Sequence, residues 1–321
     1  MHHILVVLPM DEKQQALLES KAPDAAFVYR DQKTVPEEDV KNADIILGNV
    51  PEAYLKNASK LRWLQLDSAG SDKYASLPVF REERARLTNA SGCYGVLISE
   101  YMVGAALLLS VGFHRYRDQQ CAHLWQDGDQ AKTISGSRTL VVGLGDIGSH
   151  FAQSMHALGS TVTAIRRTLG DKPSFVKSVH TLQDLPALLP EADIVGVCLP
   201  QSPETMNVFD AAAFAAMKPG AFLINVGRGS AVDADALAEA LRSGHLGGAV
   251  LDVFQPEPLP VDHPLWDQPK AMITPHIAGL DEQPDAHGKI IALCTRNLEH
   301  FMKEEALESL VDLETGYRKK Q

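Results

Sequence analysis

Short apolar runs alternate with a helical pattern along the first hundred residues. Residues 4–8 predict a strand, and residues 12–20 predict a helix after it. Residues 44–48, 62–66 and 87–89 predict three more strands. Strands that alternate with helices form parallel sheets with helices on both faces, so this part of the chain predicts one α/β unit.

A second series of strands begins after a helix that starts near Ser99. Its strands are predicted at residues 139–142, 161–165, 193–199, 221–226, 248–253 and 272–274, with an amphipathic helix at 149–158. We therefore expect an α/β protein of two domains, one of residues 101–280 and one of residues 1–100 plus 281–321. The final segment predicts a helix with an apolar face, which we expect to pack on the first domain.

The charge and the cysteines narrow the class of protein. The 30 basic and 41 acidic residues leave a formal charge of −11, which argues against nucleic acid or an anionic membrane as the main partner. The four cysteines are scattered without metal-ligand spacing, so we predict no metal site and a reducing, cytoplasmic location. Residues 1–8 are too short for a signal-peptide core, and residues 101–113 predict a buried helix rather than a membrane span.

A glycine-rich motif, Gly143-Leu144-Gly145-Asp146-Ile147-Gly148, stands between a predicted strand and an amphipathic helix. In that position the GxGxxG pattern predicts a dinucleotide site. Gly143 permits the tight turn, Gly145 lets main-chain amides approach the pyrophosphate, and Gly148 lets the helix lie close to the strand. The alternative is a glycine-rich turn without a ligand.

The end of the next strand bears on the choice of cofactor. Sites for NAD usually carry Asp or Glu there, on the adenosine ribose, but no acidic residue occurs between Ser149 and Gly170. The strand ends instead in Arg166-Arg167-Thr168, and guanidinium groups can bind a 2′-phosphate. NADP(H) is therefore favoured over NAD(H). The alternative is that one arginine is a solvated charge or stacks on adenine without selecting a phosphate.

Three further segments each carry an ionisable residue in an unusual local sequence after a predicted strand. Arg228 lies between two glycines, Glu257 lies between two prolines, and His276 ends the sequence Thr274-Pro275-His276. Each residue alone has an ordinary structural explanation. Together, at successive strand ends downstream of a dinucleotide loop, they predict a catalytic site, because α/β folds bind ligands at the carboxyl ends of their strands.

The sequence resembles the D-isomer-specific 2-hydroxyacid dehydrogenase family across nearly its whole length, and within it the glyoxylate/hydroxypyruvate reductases. The latter likeness depends on Arg166-Arg167, residues 115–125 and the closing Val311-Asp312 with Gly316-Tyr317. The motifs that carry the family resemblance are residues 143–148, Leu199-Pro200, Pro203-Glu204-Thr205, residues 217–220, Arg228-Gly229, Asp252-Val253, Glu257-Pro258, residues 263–266 and residues 274–276.

The resemblance implies a Rossmann-type NAD(P)-binding domain inserted in a flavodoxin-like substrate domain, an active site between them, and a homodimer. It implies that Arg228 holds the substrate carboxylate and keto oxygen. His276 then donates the proton to the keto oxygen in reduction, and Glu257 bonds His276 and favours its protonated form. A developing alkoxide needs a proton and nearby positive charge, which agrees with these roles.

The resemblance also assigns binding residues outside this triad. The main chain of Ser68-Ala69-Gly70-Ser71 would receive the substrate carboxylate, with Ala69 and Gly70 in contact. Asp252 would meet the nicotinamide carboxamide. Leu199, Pro200, Val226 and Gly227 would line the cofactor site.

Two positions depart from the pattern of the family. Tyr94, in Ser91-Gly92-Cys93-Tyr94-Gly95, either shapes the substrate pocket or packs between domains, and packing is the preferred interpretation. Leu280 puts a bulky residue where small ones are frequent, which would narrow the site.

The expected reaction is reduction by NADPH of a small 2-keto acid, such as glyoxylate or hydroxypyruvate, to a D-2-hydroxy acid. One alternative is an NAD-dependent dehydrogenase with another substrate range, and another is a dinucleotide-sensing protein without activity. Formate dehydrogenases share the fold, but they usually pair the histidine with glutamine, so Glu257 argues for a keto-acid enzyme.

Overall fold

The computed structural model describes residues 1–128, 131–279, 284–314 and 317–318. The chain forms two compact units, one of Met1–Tyr94 with Leu280–Gln321 and one of Gly95–Gly279. The sequence pattern predicts these domain boundaries after residues 100 and 280. Leu280 itself lies outside the described residues, as does Gly316.

The first unit is built on a five-stranded parallel sheet in the order β2-β1-β3-β4-β5. Its elements before the second unit are β1 (His3–Val6), α1 (Glu12–Glu19), β2 (Ala26–Tyr29), α2 (Glu37–Asn42), β3 (Ile45–Leu47), α3 (Glu52–Leu55), β4 (Trp63–Gln65), α4 (Asp72–Ala75), α5 (Pro78–Arg81) and β5 (Arg86–Thr88). The central strands β3 and β4 are buried on both faces, as expected for a parallel sheet covered by helices.

The second unit is built on a seven-stranded parallel sheet in the order β12-β11-β10-β9-β6-β7-β8. Its elements are α6 (Gly95–Val111), α7 (Phe113–Cys121), β6 (Arg138–Val142), α8 (Asp146–Ala157), β7 (Thr161–Ile165), β8 (Ser178–His180), α9 (Leu185–Leu188), β9 (Ile194–Val197), α10 (Ala211–Ala216), β10 (Phe222–Asn225), α11 (Ala234–Arg242), β11 (Gly248–Leu251) and β12 (Ala271–Ile273). The chain returns to the first unit with α12 (Pro284–Met302), β13 (Val311–Asp312) and β14 (Tyr317–Arg318).

The strand orders confirm the predicted α/β fold class. The first sheet has the flavodoxin-like order, and the second has the Rossmann order with one strand added at the edge. In the second sheet the direction of winding reverses between β6 and β9. Ligands of such folds bind outside the carboxyl ends of the strands at this point.

The apolar helix α6 is buried by its own unit. Met102, Ala105, Ala106 and Leu109 are at most 6% exposed, and the helix packs on α8. Its apolar composition is therefore explained by burial in the second unit. Among the described residues, no single helix has the length and composition to cross a membrane; α6 and α7 pass that test only together, and they are bent by 66° to each other.

The long helix α12 covers the sheet of the first unit. Its buried face includes Ile290, Cys294 and Leu298. Asn297, fully buried, donates to Gln65 Oε1 on β4 at 2.8 Å. The apolar stripe read from the sequence is thus the face that packs inward.

Candidate active site

The predicted site segments of the second unit follow six strands that lie side by side in one sheet. Read across the sheet from β7 to β12, they are Arg166–Thr168, residues 143–148, Leu199-Pro200, residues 226–228, Asp252 with Glu257, and His276. All of these strands are parallel, so the segments share the carboxyl edge of the sheet. The predicted cofactor and catalytic residues of this unit are therefore gathered along one line.

The glycine-rich motif forms the turn between β6 and α8. Gly143 has φ +106°, which favours glycine, and a Cβ on it would lie 2.6 Å from the carbonyl oxygen of Cys198. A Cβ on Gly148 would overlap the carbonyl of Gly143, so this glycine permits the close helix–strand approach. A Cβ on Gly145 would have no neighbour within 4 Å, so there is open space beside it.

The first turn of α8 fits an anion. Its N-cap is Gly145, and no side chain caps the helix, which leaves first-turn N–H groups and the positive end of the helix dipole for a phosphate. Asp146 and Ile147 lie in this turn. His150 Nδ1 lies 2.9 Å from the main-chain carbonyl of Asp146 and 3.4 Å from its Oδ1. The residues present fit a dinucleotide pyrophosphate.

Arg166, Arg167 and Thr168 directly follow β7, but the two arginines differ in environment. Arg166 is half-buried and donates from Nη2 to the main-chain carbonyl of Asp171 at 2.9 Å. Its Nε is buried and has no hydrogen-bond partner among the described residues. Arg167 and Thr168 are exposed. Arg166 thus shapes the loop while keeping an unused donor, and Arg167 lies at the surface.

Leu199 and Pro200 continue from β9, next to the glycine-rich turn. Leu199 is 6% exposed, and the carbonyl of Pro200 accepts from Thr205 Oγ1 at 2.7 Å. Burial raises the pKa of the Cys198 thiol to about 12, so at neutral pH it is a thiol rather than a thiolate nucleophile.

The loop that carries Arg228 is held by a buried asparagine. Asn225, the last residue of β10, is fully buried; its Oδ1 accepts from the Gly227 amide and its Nδ2 donates to the Arg228 carbonyl, both at 3.1 Å. A Cβ on Gly229 would overlap the main chain of Phe254. The Arg228 loop therefore lies directly against the loop that leads to Glu257. Arg228 is half-buried.

Glu257 and His276 form a hydrogen-bonded pair. Glu257 Oε2 lies 2.8 Å from His276 Nδ1, and Glu257 Oε1 accepts from the Phe254 amide at 2.8 Å. The His276 side chain is 53% exposed. Within the described residues, its Nε2 has no hydrogen-bond partner. The pair thus has an orienting carboxylate on one ring nitrogen and an accessible second nitrogen, which is the geometry of a general acid.

Asp252 is turned into the protein in this structure. It is 2% exposed, and its carboxylate accepts from Thr274 Oγ1 at 2.6 Å and from the amides of Ile277 and Ala278 at 2.8 and 2.9 Å. The sequence suggested a contact with the nicotinamide carboxamide, which stays a prediction. What the structure shows is a carboxylate that holds the loop of His276.

In the first unit, the predicted carboxylate-binding loop follows β4. Ser68 Oγ donates to the Gly70 carbonyl at 2.8 Å, and Asn89, beyond β5, donates to the Ala69 carbonyl at 2.8 Å. Tyr94 is 6% exposed and donates to the Asp67 carbonyl at 2.6 Å, just before this loop. Tyr94 therefore packs within the first unit and supports the loop.

Sequence reasoning missed the residues that support the site. Asn225 and Asn89 hold the Arg228 and Ala69 loops, and Tyr101 on α6 contacts Thr274. A polar residue at the end of an apolar strand was the available signal for both asparagines. In the ranges that the structure describes, no three His, Cys, Asp or Glu residues are grouped so as to hold a metal ion.

Comparison with known proteins places this geometry in a family. The family model described as D-isomer specific 2-hydroxyacid dehydrogenase, NAD binding domain, matches residues 103–278. A glyoxylate/hydroxypyruvate reductase A from Citrobacter koseri is 30% identical over 76% of this chain and 74% of its own.

Two solved structures resemble the whole chain. A D-isomer specific 2-hydroxyacid dehydrogenase family protein from Aeromonas salmonicida has 33% identity and a TM-score of 0.84, covering 97% of this chain and 99% of its own. An NADPH-dependent glyoxylate/hydroxypyruvate reductase from Sinorhizobium meliloti, solved with NADP and sulfate, has 25% identity and a TM-score of 0.82, covering 99% and 100%.

The chain belongs to the D-isomer specific 2-hydroxyacid dehydrogenase family. It is an oxidoreductase of the NAD(P)-dependent D-2-hydroxyacid dehydrogenase class, and residues 103–278 are matched as its nucleotide-binding domain. The predicted resemblance and enzyme class are confirmed.

Proposed function

We propose that this enzyme reduces a short 2-keto acid, with glyoxylate and hydroxypyruvate as the leading substrates, to the D-2-hydroxy acid with NADPH. The observation that carries the proposal is the Glu257–His276 pair at the carboxyl edge of the second sheet, next to the loop of Arg228. The likeness to two glyoxylate/hydroxypyruvate reductases supports this substrate class.

His276 is the proposed proton donor. When bound, the nicotinamide supplies a hydride to the keto carbon. The keto oxygen then gains negative charge, and protonated His276 donates to it from Nε2. Glu257 fixes the orientation of the ring through its contact with Nδ1 at 2.8 Å, which leaves Nε2 to face the keto oxygen. After transfer, neutral His276 regains a proton from solvent.

Arg228 is the proposed carboxylate and keto-oxygen ligand. A guanidinium can bind a carboxylate bidentately, and its charge also stabilises the developing alkoxide. Asn225 holds the Arg228 loop through hydrogen bonds to the Gly227 amide and the Arg228 carbonyl, so the side chain starts from a fixed backbone. Ala69 and Gly70 are proposed to receive the substrate carboxylate with main-chain amides. One arginine and main-chain donors suit a monoanion of two or three carbons.

NADPH is the proposed cofactor because two arginines directly follow β7 and no Asp or Glu occurs between Ser149 and Gly170. Among the residues that the structure describes, the buried Nε of Arg166 has no hydrogen-bond partner, and Arg167 is exposed on the same loop. A 2′-phosphate gains charge-assisted hydrogen bonds from such groups, whereas the Asp or Glu that usually binds a 2′-hydroxyl at the end of this strand is absent from residues 149–170. The neighbour from Sinorhizobium meliloti contains NADP, which agrees with this choice.

A homodimer is also proposed. The buried face of the apolar helix α6 is covered by its own unit, so that face is not the basis of the proposal. The support comes from the segment after it, where Phe113, Leu124 and Trp125 are 57%, 50% and 99% exposed. Large apolar side chains exposed close together in sequence are typical of a surface that a partner covers. A cytoplasmic location is proposed from the scattered, unpaired cysteines.

The test is an assay of a panel of 2-keto acids with each cofactor. We expect oxidation of NADPH with glyoxylate and hydroxypyruvate, slower oxidation of NADH, and D-glycerate as the product from hydroxypyruvate. Absence of turnover with every short 2-keto acid in an enzyme that binds NADPH would overturn the proposal. L-glycerate as product would contradict the family assignment of stereochemistry.

A further inference from the structure

A chain of short hydrogen bonds leads from helix α6 to the loop of His276. The Tyr101 hydroxyl lies 2.6 Å from Thr274 Oγ1, and Thr274 Oγ1 donates to Asp252 Oδ1 at 2.6 Å. The same carboxylate accepts from the amides of Ile277 and Ala278. All members of the chain belong to the second unit.

The direction of the first bond follows from counting protons. Thr274 has one hydroxyl proton and gives it to Asp252, so Tyr101 must donate to Thr274. Burial raises the pKa of Tyr101 to about 12, and the charge of Asp252 contributes in the same direction. The phenol therefore keeps its proton at neutral pH. Bonds that run in one direction, phenol to hydroxyl to carboxylate, strengthen one another.

The backbone at His276 needs such support. His276 has φ +55°, a left-handed conformation that is unfavourable for a residue with a side chain. Its amide donates to the carbonyls of Asp252 and Thr274 at 2.9 and 3.0 Å. With Ile277 and Ala278 bound to the carboxylate, three consecutive amides are held by Asp252. The position of the imidazole therefore depends on where this carboxylate is fixed.

We infer that Tyr101 is a positioning residue for His276, acting through Thr274 and Asp252. The inference rests on the proposed role of His276 as proton donor. Thr274 and Asp252 both stand on strand-end loops of the sheet, whereas Tyr101 projects from α6, a helix packed against α8. The phenol thus ties the His276 loop to a buried helix and fixes the rotamer of the Thr274 hydroxyl.

The perturbation that tests this is Tyr101→Phe, which removes one oxygen. We expect kcat for glyoxylate reduction to fall about 5- to 10-fold, because a donor displaced by a fraction of an ångström transfers its proton more slowly. The KM for NADPH should stay within about twofold. The solvent isotope effect on kcat should increase, since proton donation becomes more limiting. A merely structural loss would lower the amount of active enzyme without changing that isotope effect.

A matched control and a second variant make the result decisive. Tyr29→Phe removes a phenol that is also half-buried and also bonded to a side chain, Glu19 at 3.1 Å, but in the first unit; it should leave kcat and the isotope effect unchanged. Thr274→Val removes the next hydroxyl of the chain. The double variant Tyr101→Phe with Thr274→Val should be no slower than Thr274→Val, because both changes break one pathway.

Three outcomes would overturn the inference. The first is that Tyr101→Phe shows the wild-type kcat and isotope effect, although the separate variant His276→Ala abolishes turnover. The effects of Tyr101→Phe and Thr274→Val could multiply in the double variant, which would show that they act independently. Normal turnover of folded His276→Ala would overturn the proposed donor, and with it this role of Tyr101.

Discussion

We predict that the two arginines after β7 determine cofactor selectivity. Because their burial differs, they should contribute unequally to the affinity for NADPH. Arg166 is half-buried, and its buried Nε has no partner within the described part of the chain, so a bond from it to a 2′-phosphate would be partly shielded from water. A charge-assisted hydrogen bond is worth ~1.5–3 kcal/mol where desolvated, and we take the lower end for Arg166. Arg167 is exposed, where ion pairs contribute at most about 1 kcal/mol.

These values translate into separate changes in affinity. Arg166→Ala should raise the Kd for NADPH by about 10-fold, Arg167→Ala by about 3- to 5-fold, and the double variant by about 30- to 50-fold. NADH lacks the 2′-phosphate, so its Kd should change by less than about twofold. The wild-type preference for NADPH should therefore be about 10- to 100-fold, and the double variant should lose most of it.

The assay is a fluorescence titration of each reduced cofactor with wild type and variants. Arg138→Ala is the matched control, because Arg138 is an exposed arginine of the same sheet that stands at the amino end of β6 and pairs with Glu191 at 3.0 Å. It should leave both Kd values unchanged. If wild type binds NADH more tightly than NADPH, or if the double variant loses affinity for both cofactors equally, these arginines do not select for the 2′-phosphate.

The remaining predictions concern proton transfer, assembly and substrate class. Glu257→Gln should lower kcat for glyoxylate reduction by ~10-fold or more, because His276 Nδ1 loses the carboxylate that orients the ring; an unchanged kcat in the folded variant would show that Glu257 does not support the donor. Light scattering at micromolar concentration should give a particle near twice 34.9 kDa, which a clean monomer would contradict. Oxaloacetate and 2-ketoglutarate should be reduced at least ~10-fold less efficiently than glyoxylate, since the motifs offer no second cation for a dianion. A preference for either dianion would refute the single-arginine pocket.

The sequence predicted the central strands and the edge strands β5 and β12, but it missed the edge strands β2 and β8. The runs that became β3, β4 and β9 are apolar because both faces of each strand are covered. The residues of β2 and β8 are half-buried throughout; β8 has no apolar run, and the short apolar run of β2, Ala26–Tyr29, was not singled out as a strand. Helix α8 begins at Asp146, three residues before its predicted start. The last three residues of the glycine-rich motif form its first turn.

The site residues predicted from the sequence stand in distinctive local motifs. The supporting residues that it missed act through contacts between segments far apart in the chain. Arg228, Glu257 and His276 could be singled out because each follows a strand in an unusual local sequence. Nothing near Tyr101 in the sequence indicates that it meets Thr274, 173 positions later. Likewise, the burial of Asp252 against the amides after His276 requires that β11 and β12 be neighbours, which the sheet order alone provides.

The most direct test of the account is the rate of NADPH oxidation with glyoxylate, measured for wild type and for His276→Ala at equal NADPH saturation. We expect turnover by wild type and a loss of ~10²-fold or more in the variant, with its Kd for NADPH unchanged, because only the proton donor is removed. Near-normal turnover by the folded variant would remove His276 from the proposed role. A wild-type protein that binds NADPH yet reduces neither glyoxylate nor hydroxypyruvate would contradict the proposed reaction itself.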